Sequence, residues 1–98
     1  MEKFVKYNKL FDCYEKILTD KEKQIFKDYY EEDLSMQEIA ENYDISKSAV
    51  GKKINNIESK LGNLENNLNI VKNNEILESL LEYDDIKKIK EKISMILE

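Results

Sequence analysis

A chain of 98 residues with 41% apolar side chains can bury one hydrophobic core and is too short for two. Its basic residues are sixteen lysines and no arginine, set against 21 acids, for a net charge of -5. With no histidine and one cysteine it lacks the means for a zinc site, a Cys/His nucleophile pair or an intramolecular disulfide.

Proline is absent and glycine occurs twice, so helix formers run almost without interruption and an all-α fold is expected, as a single domain over residues 1–98. There is no glycine-rich phosphate loop, and the acids alternate with lysine as solvated helix faces do. These features argue against an enzyme and against any cofactor. No apolar run nears the ~20 residues of a membrane span, and the N-terminal residues are charged and amphipathic, so a cytoplasmic protein without membrane contact is expected. Cys13 lies among apolar positions and is expected to be a small buried hydrophobe.

In chain order, Phe4, Tyr7, Phe11, Tyr14 and Leu18 recur at spacings of 3 and 4, one apolar stripe of a first helix. So aromatic a stripe could stack bases, but this spacing favours core. Thr19 with Glu22 reads as a capping box opening a second helix to about Glu32, with Ile25, Phe26, Tyr29 and Tyr30 inward. Ser35 with Glu38 repeats that signal for a third helix to about Asn42. The stretch NYD then breaks the pattern and Ser46 caps the next helix.

From there Val50, Ile54, Ile57, Leu61, Leu64, Leu68 and Val71 form a heptad seam. A helix unbroken from Ser46 to Lys72 would be ~40 Å long. The sequence predicts a turn at KNNE, residues 72–75. A short apolar face follows at Ile76, Leu77, Leu80 and Leu81, then a break at 83–85 and a last amphipathic helix with Ile86, Ile89, Ile93, Ile96 and Leu97. Residues 62–98 thus read as a helical extension of a core over 1–61. The distal seam and these helices need a surface to bury against, in the same chain or in a second copy, which raises the possibility of a homodimer.

Residues 35–54, SMQEIAENYDISKSAVGKKI, fit a helix-turn-helix, in which the first helix needs a small residue toward the second and the turn a residue tolerant of left-handed backbone. Ala40 supplies the first and Asp44 the second, at modest cost for a non-glycine residue. Ile39, Tyr43, Ile45, Val50 and Ile54 would lock the pair. The outward face of the second helix then carries Ser46, Lys47, Ser48, Gly51, Lys52 and Asn55, with Lys53 and Asn56 at its margin and Gln37 near the start of the preceding helix. The lysines suit phosphates, Ser48 and Asn55 suit backbone or base edges, and Gly51 permits close approach.

Charge taken in three blocks supports that surface. Residues 1–45 sum to -5, residues 46–61 to +3 and residues 62–98 to -3, so only the middle block is positive. The total is small for a nucleic-acid binder, and weak affinity is expected. Without arginine the bidentate guanine contact is missing, which leaves little means of reading a DNA sequence.

The stretch LTDKEKQIFKDYYEEDLSMQEIAENYDISKSAVGKKINNIESKL resembles the C-terminal DNA-binding region of bacterial sigma factors. Over essentially all 98 residues the chain resembles the YlxM family of small bacterial proteins, through NKLFDCYEKILT, DYYEEDLS, EIAENYDIS, SAV and the Leu-seamed helix. The resemblance implies a sigma-region-4-like or winged-helix-like three-helix core. It also implies a regulatory role in the signal recognition particle pathway, because genes of this family lie beside those of the particle's GTPase and its receptor. The particle's RNA or its GTPase would be the partner, with DNA as the target of a sigma-like transcription regulator. Gly51 and the lack of arginine depart from the pattern and bear on sequence recognition more than on fold.

Overall fold

Helices in this chain begin where a side chain can take up their free amides. The computed structural model describes residues 2–98 as six α-helices: α1 (Glu2–Tyr14), α2 (Asp20–Tyr30), α3 (Met36–Tyr43), α4 (Lys47–Leu68), α5 (Ile70–Ser79) and α6 (Ile86–Leu97). Short 3-10 turns occupy Glu15–Ile17 and Leu80–Glu82, and there is no strand among the described residues. Both capping boxes form as the sequence predicts. Thr19 Oγ1 accepts from Glu22 N–H at 3.2 Å while the Glu22 carboxylate accepts from Thr19 N–H at 2.8 Å, and Ser35 and Glu38 repeat the exchange ahead of α3. Ser46 Oγ accepts from Ala49 N–H at 3.1 Å at the start of α4.

Asp44 ends α3 in the left-handed region, at φ 52° and ψ 48°, and Ile45 N–H donates back to the Ala40 carbonyl at 3.0 Å. This turn aims α4 across the other helices. Its residues Val50, Ile54, Ile57 and Leu61 are buried against Leu10, Phe11, Tyr14 and Leu18, against Ile25, Phe26 and Tyr30 of α2, and against Ile39 and Ala40 of α3. Phe11 stacks on Phe26 with ring centroids 4.3 Å apart, and Phe26 on Tyr30 at 4.4 Å, so the aromatic stripe is core rather than a platform for bases. Phe4, at its end, remains 38% exposed against the edge of Tyr30.

Every buried side-chain polar atom of the described residues is partnered. Tyr30 donates its hydroxyl to Glu58, whose carboxylate also meets Lys3 Nζ at 3.3 Å. Tyr43 donates to Asp28 at 2.9 Å, and Gln24 donates to the same carboxylate at 2.9 Å. Burial, then the carboxylate acceptor, push the Tyr30 phenol far above its ordinary range and that of Tyr43 to about 12.

Two expectations fail here. Cys13 is exposed, because it falls between Phe11 and Tyr14 and points away from the stripe that they bury. Slight burial, then the charge of Glu65, raise its thiol pKa. The turn predicted at 72–75 does not form either, since α5 runs through those residues and the seam breaks at Asn69, with φ 54° and ψ 28°. Its cause is Glu65, whose carboxylate accepts from Tyr14 Oη at 2.7 Å and from the Val71 and Lys72 amides at 3.0 Å each. A residue of α4 thereby caps α5 and pins the junction to α1. Lys9 and Glu75, 3.1 Å apart, tie α5 to α1 again, while α6 packs principally on α5 and extends the molecule to 57 × 22 × 18 Å.

Burial pushes the Glu65 pKa upward, but the Tyr14 and amide hydrogen bonds outweigh it and hold the carboxyl below its ordinary value. A carboxyl depressed on folding contributes stability above its unfolded pKa, and that contribution is lost as pH falls through the folded value. Glu65→Gln should therefore flatten the acid limb of a stability-versus-pH curve. Glu65→Ala should cost about 1–3 kcal/mol in urea unfolding at neutral pH by leaving those donors unpaired. Tyr14, raised to about 12 by burial and then by Glu65, acts at the other end, its contribution draining as pH climbs from 10 toward 12.

Candidate nucleic-acid interface

Because α4 spends one face on three helices, the opposite face of its first three turns has no neighbour to cover it. Ser46, Lys47, Ser48, Lys52, Asn55 and Asn56 are exposed there, and Ser59 continues the same side. Lys53 is half-buried. It turns toward α2, where with Asn56 it borders a hollow also lined by Thr19, Lys21, Glu22 and Ile25. Gly51 is half-buried beside α3: a Cβ built there would lie 3.9 Å from Met36 Sδ, an ordinary contact. Packing within the chain therefore gives no reason for glycine at this position.

The candidate residues thus divide into a central group, Ser48, Lys52 and Asn55, and two flanks. Lys47 and Gly51 lie on the α3 side, and Lys53 and Asn56 on the α2 side. Gln37 is exposed on α3, but its amide donates to Glu41 at 3.1 Å, which holds it beside a carboxylate. Lys60 is also committed, to Glu22 at 3.1 Å. Among the described residues Lys47, Lys52 and Lys53 form no ion pair, and these three ammonium groups are the free charge of the face. At a helix-turn-helix surface such an arrangement can hold phosphates, with Ser48 and Asn55 as hydrogen-bonding groups between them.

Resolving charge by helix changes the block-wise reading. Residues 86–97 carry Lys87, Lys88, Lys90 and Lys92 against Glu91, so α6 is as positive as the α4 segment, +3. Summing residues 62–98 together hides it, because 62–85 hold Lys72 against six acids. A window of one helix length would have found it.

Fold and turn geometry define this molecule as a helix-turn-helix protein. The model of the family described as "Putative helix-turn-helix protein, YlxM / p13 like" matches residues 1–97, and the chain belongs to that family. A UPF0122 protein of Mycoplasma capricolum is 40% identical over 92 residues, covering 94% of this chain and 81% of the relative. Another, from Halalkalibacterium halodurans, is 35% identical over 102 residues, covering 100% of this chain and 94% of its own. No helix among the described residues is long and apolar enough to cross a membrane.

If Gly51 serves only to admit a ligand backbone, replacing it should help the fold. Gly51→Ala is expected to add about 0.5–1 kcal/mol of stability. Thermal unfolding followed by circular dichroism checks this, with a rise of several degrees expected for a domain of this size.

Proposed function

We propose that this protein binds nucleic acid weakly through the exposed face of α4, with Lys47, Lys52 and Lys53 on phosphates and Ser46, Ser48, Asn55 and Asn56 hydrogen-bonding beside them. Gly51 admits the backbone and Gln37 reaches it from α3. The observation that carries this reading is a set of three lysines without ion pairs, Lys47 and Lys52 exposed and Lys53 half-buried, on the second helix of a helix-turn-helix whose surroundings are acidic. The place beside signal recognition particle genes that the sequence resemblance implies makes the particle's RNA the first ligand to test and a regulatory role in that pathway the proposed context. Phosphate contact through lysine carries no sequence code, so duplex DNA of any sequence is expected to compete.

Three lysines at phosphates predict a log-affinity versus log-salt slope of about -3 on duplex DNA. Lys47→Glu with Lys52→Glu should reduce that slope to about -1 and abolish the low-salt gel shift on both the particle RNA and DNA. Unchanged shifts would remove this surface from the proposal.

The exposed apolar side chains of α5 and α6 favour a second reading, docking of the particle's GTPase on that surface. A pulldown with full-length chain carrying Leu81→Glu and Ile86→Glu tests it. Both side chains are open to solvent, so the fold should survive, and retained GTPase binding would dismiss this reading.

A further inference from the structure

Helices α5 and α6 each leave an apolar stripe in water. On α5 and the turn that follows it, the stripe runs Ile70, Asn74, Leu77 and Leu81, and on α6 it runs Ile86, Lys90, Ile93 and Leu97; both have spacings of 4, 3 and 4. Leu81 is 88% exposed, Leu97 80% and Ile86 68%. A helix hairpin that buries so little is not completed by its own chain, since the driving force for an amphipathic helix is burial of its stripe.

Charge selects what completes it. The segment from Ile70 through Asp85 holds Lys72 against Glu75, Glu78, Glu82, Asp84 and Asp85, net -4, whereas α6 is +3. Laid on its own equivalent, α6 would oppose like charges; laid on the α5 segment of a second copy, it meets opposite ones. A twofold axis along the hairpin lays the two stripes antiparallel, with Leu81 opposite Ile86 and Ile70 opposite Leu97.

The geometry points to a second copy of this chain as the occupant. We propose a symmetric dimer in which α6 of each protomer packs antiparallel to α5 of the other. The apolar side chains involved present on the order of 500 Å² per copy. With flanking polar area that approaches the roughly 800 Å² per partner of a stable interface. Such a dimer would carry two α4 faces, a consequence that rests on the proposed nucleic-acid reading; the dimer itself does not.

Light scattering on the full chain, without nucleic acid, tests the pairing. The wild type at tens of micromolar should run at twice its 11.7 kDa. Leu81→Glu and Ile86→Lys should each fall to the single-chain mass with an unchanged helical spectrum, because both side chains are solvent-exposed in the protomer. Mixing these two variants should restore the double mass, since the introduced carboxylate of one then meets the introduced ammonium of the other across one half of the interface. The other half keeps its original leucine and isoleucine. A wild type at single-chain mass, as expected if the hairpin serves another protein instead, would overturn the proposal. So would either variant keeping the double mass, or a mixture that stays dissociated.

Discussion

Val50, Ile54, Ile57 and Leu61 of α4 hold three helices at once, and the remaining architecture answers to that constraint. Because α1, α2 and α3 all pack on the same side of α4, its other side must be left to solvent, and the lysines there are accessible as a geometric consequence of the core. The same four residues also mark where compact packing ends. Past Leu61 only Leu64 and Val71 still lean on the core, and Leu68 is already half exposed. A seam continued in a straight line would have projected into water. Glu65 redirects it, closing the Asn69 break with two α5 amides and the Tyr14 hydroxyl.

What the sequence made legible was local. Thr19, Ser35 and Ser46 act on amides three residues away, so their roles follow from spacing alone, and Asp44 reveals itself because few residues enter the left-handed region. The helix-turn-helix could therefore be drawn from residue types and spacing. Asn69 is different. Its neighbours Asn66 and Asn67 are chemically equal candidates for a break, and the choice among them depends on where the Glu65 carboxylate and the Tyr14 hydroxyl come together, a tertiary fact. Cys13 was misplaced for a simpler reason, since lying between two inward residues in sequence places it off the stripe in a helix.

The charge distribution reconciles an acidic protein with a basic surface. Acids crowd the loop before α3 and the α5 segment, while lysines gather on the open face of α4 and on α6. Several lysines are neutralised locally: Lys3 meets Glu58, Lys9 meets Glu75 and Lys60 meets Glu22. The net charge of -5 is thus a poor guide to what a phosphate would meet at α4. It does lower the expected strength, because at low salt, where the Debye length lengthens to about 30 Å, the acids around α4 also repel a phosphate backbone.

The central claim is that nucleic acid meets this protein at α4. Backbone amide chemical shifts during titration with the signal recognition particle RNA at low salt address it directly. The account predicts perturbations concentrated between Ser46 and Asn56, with a weaker response near Gln37. Perturbations centred on α5 and α6, or none at saturating RNA, would contradict it.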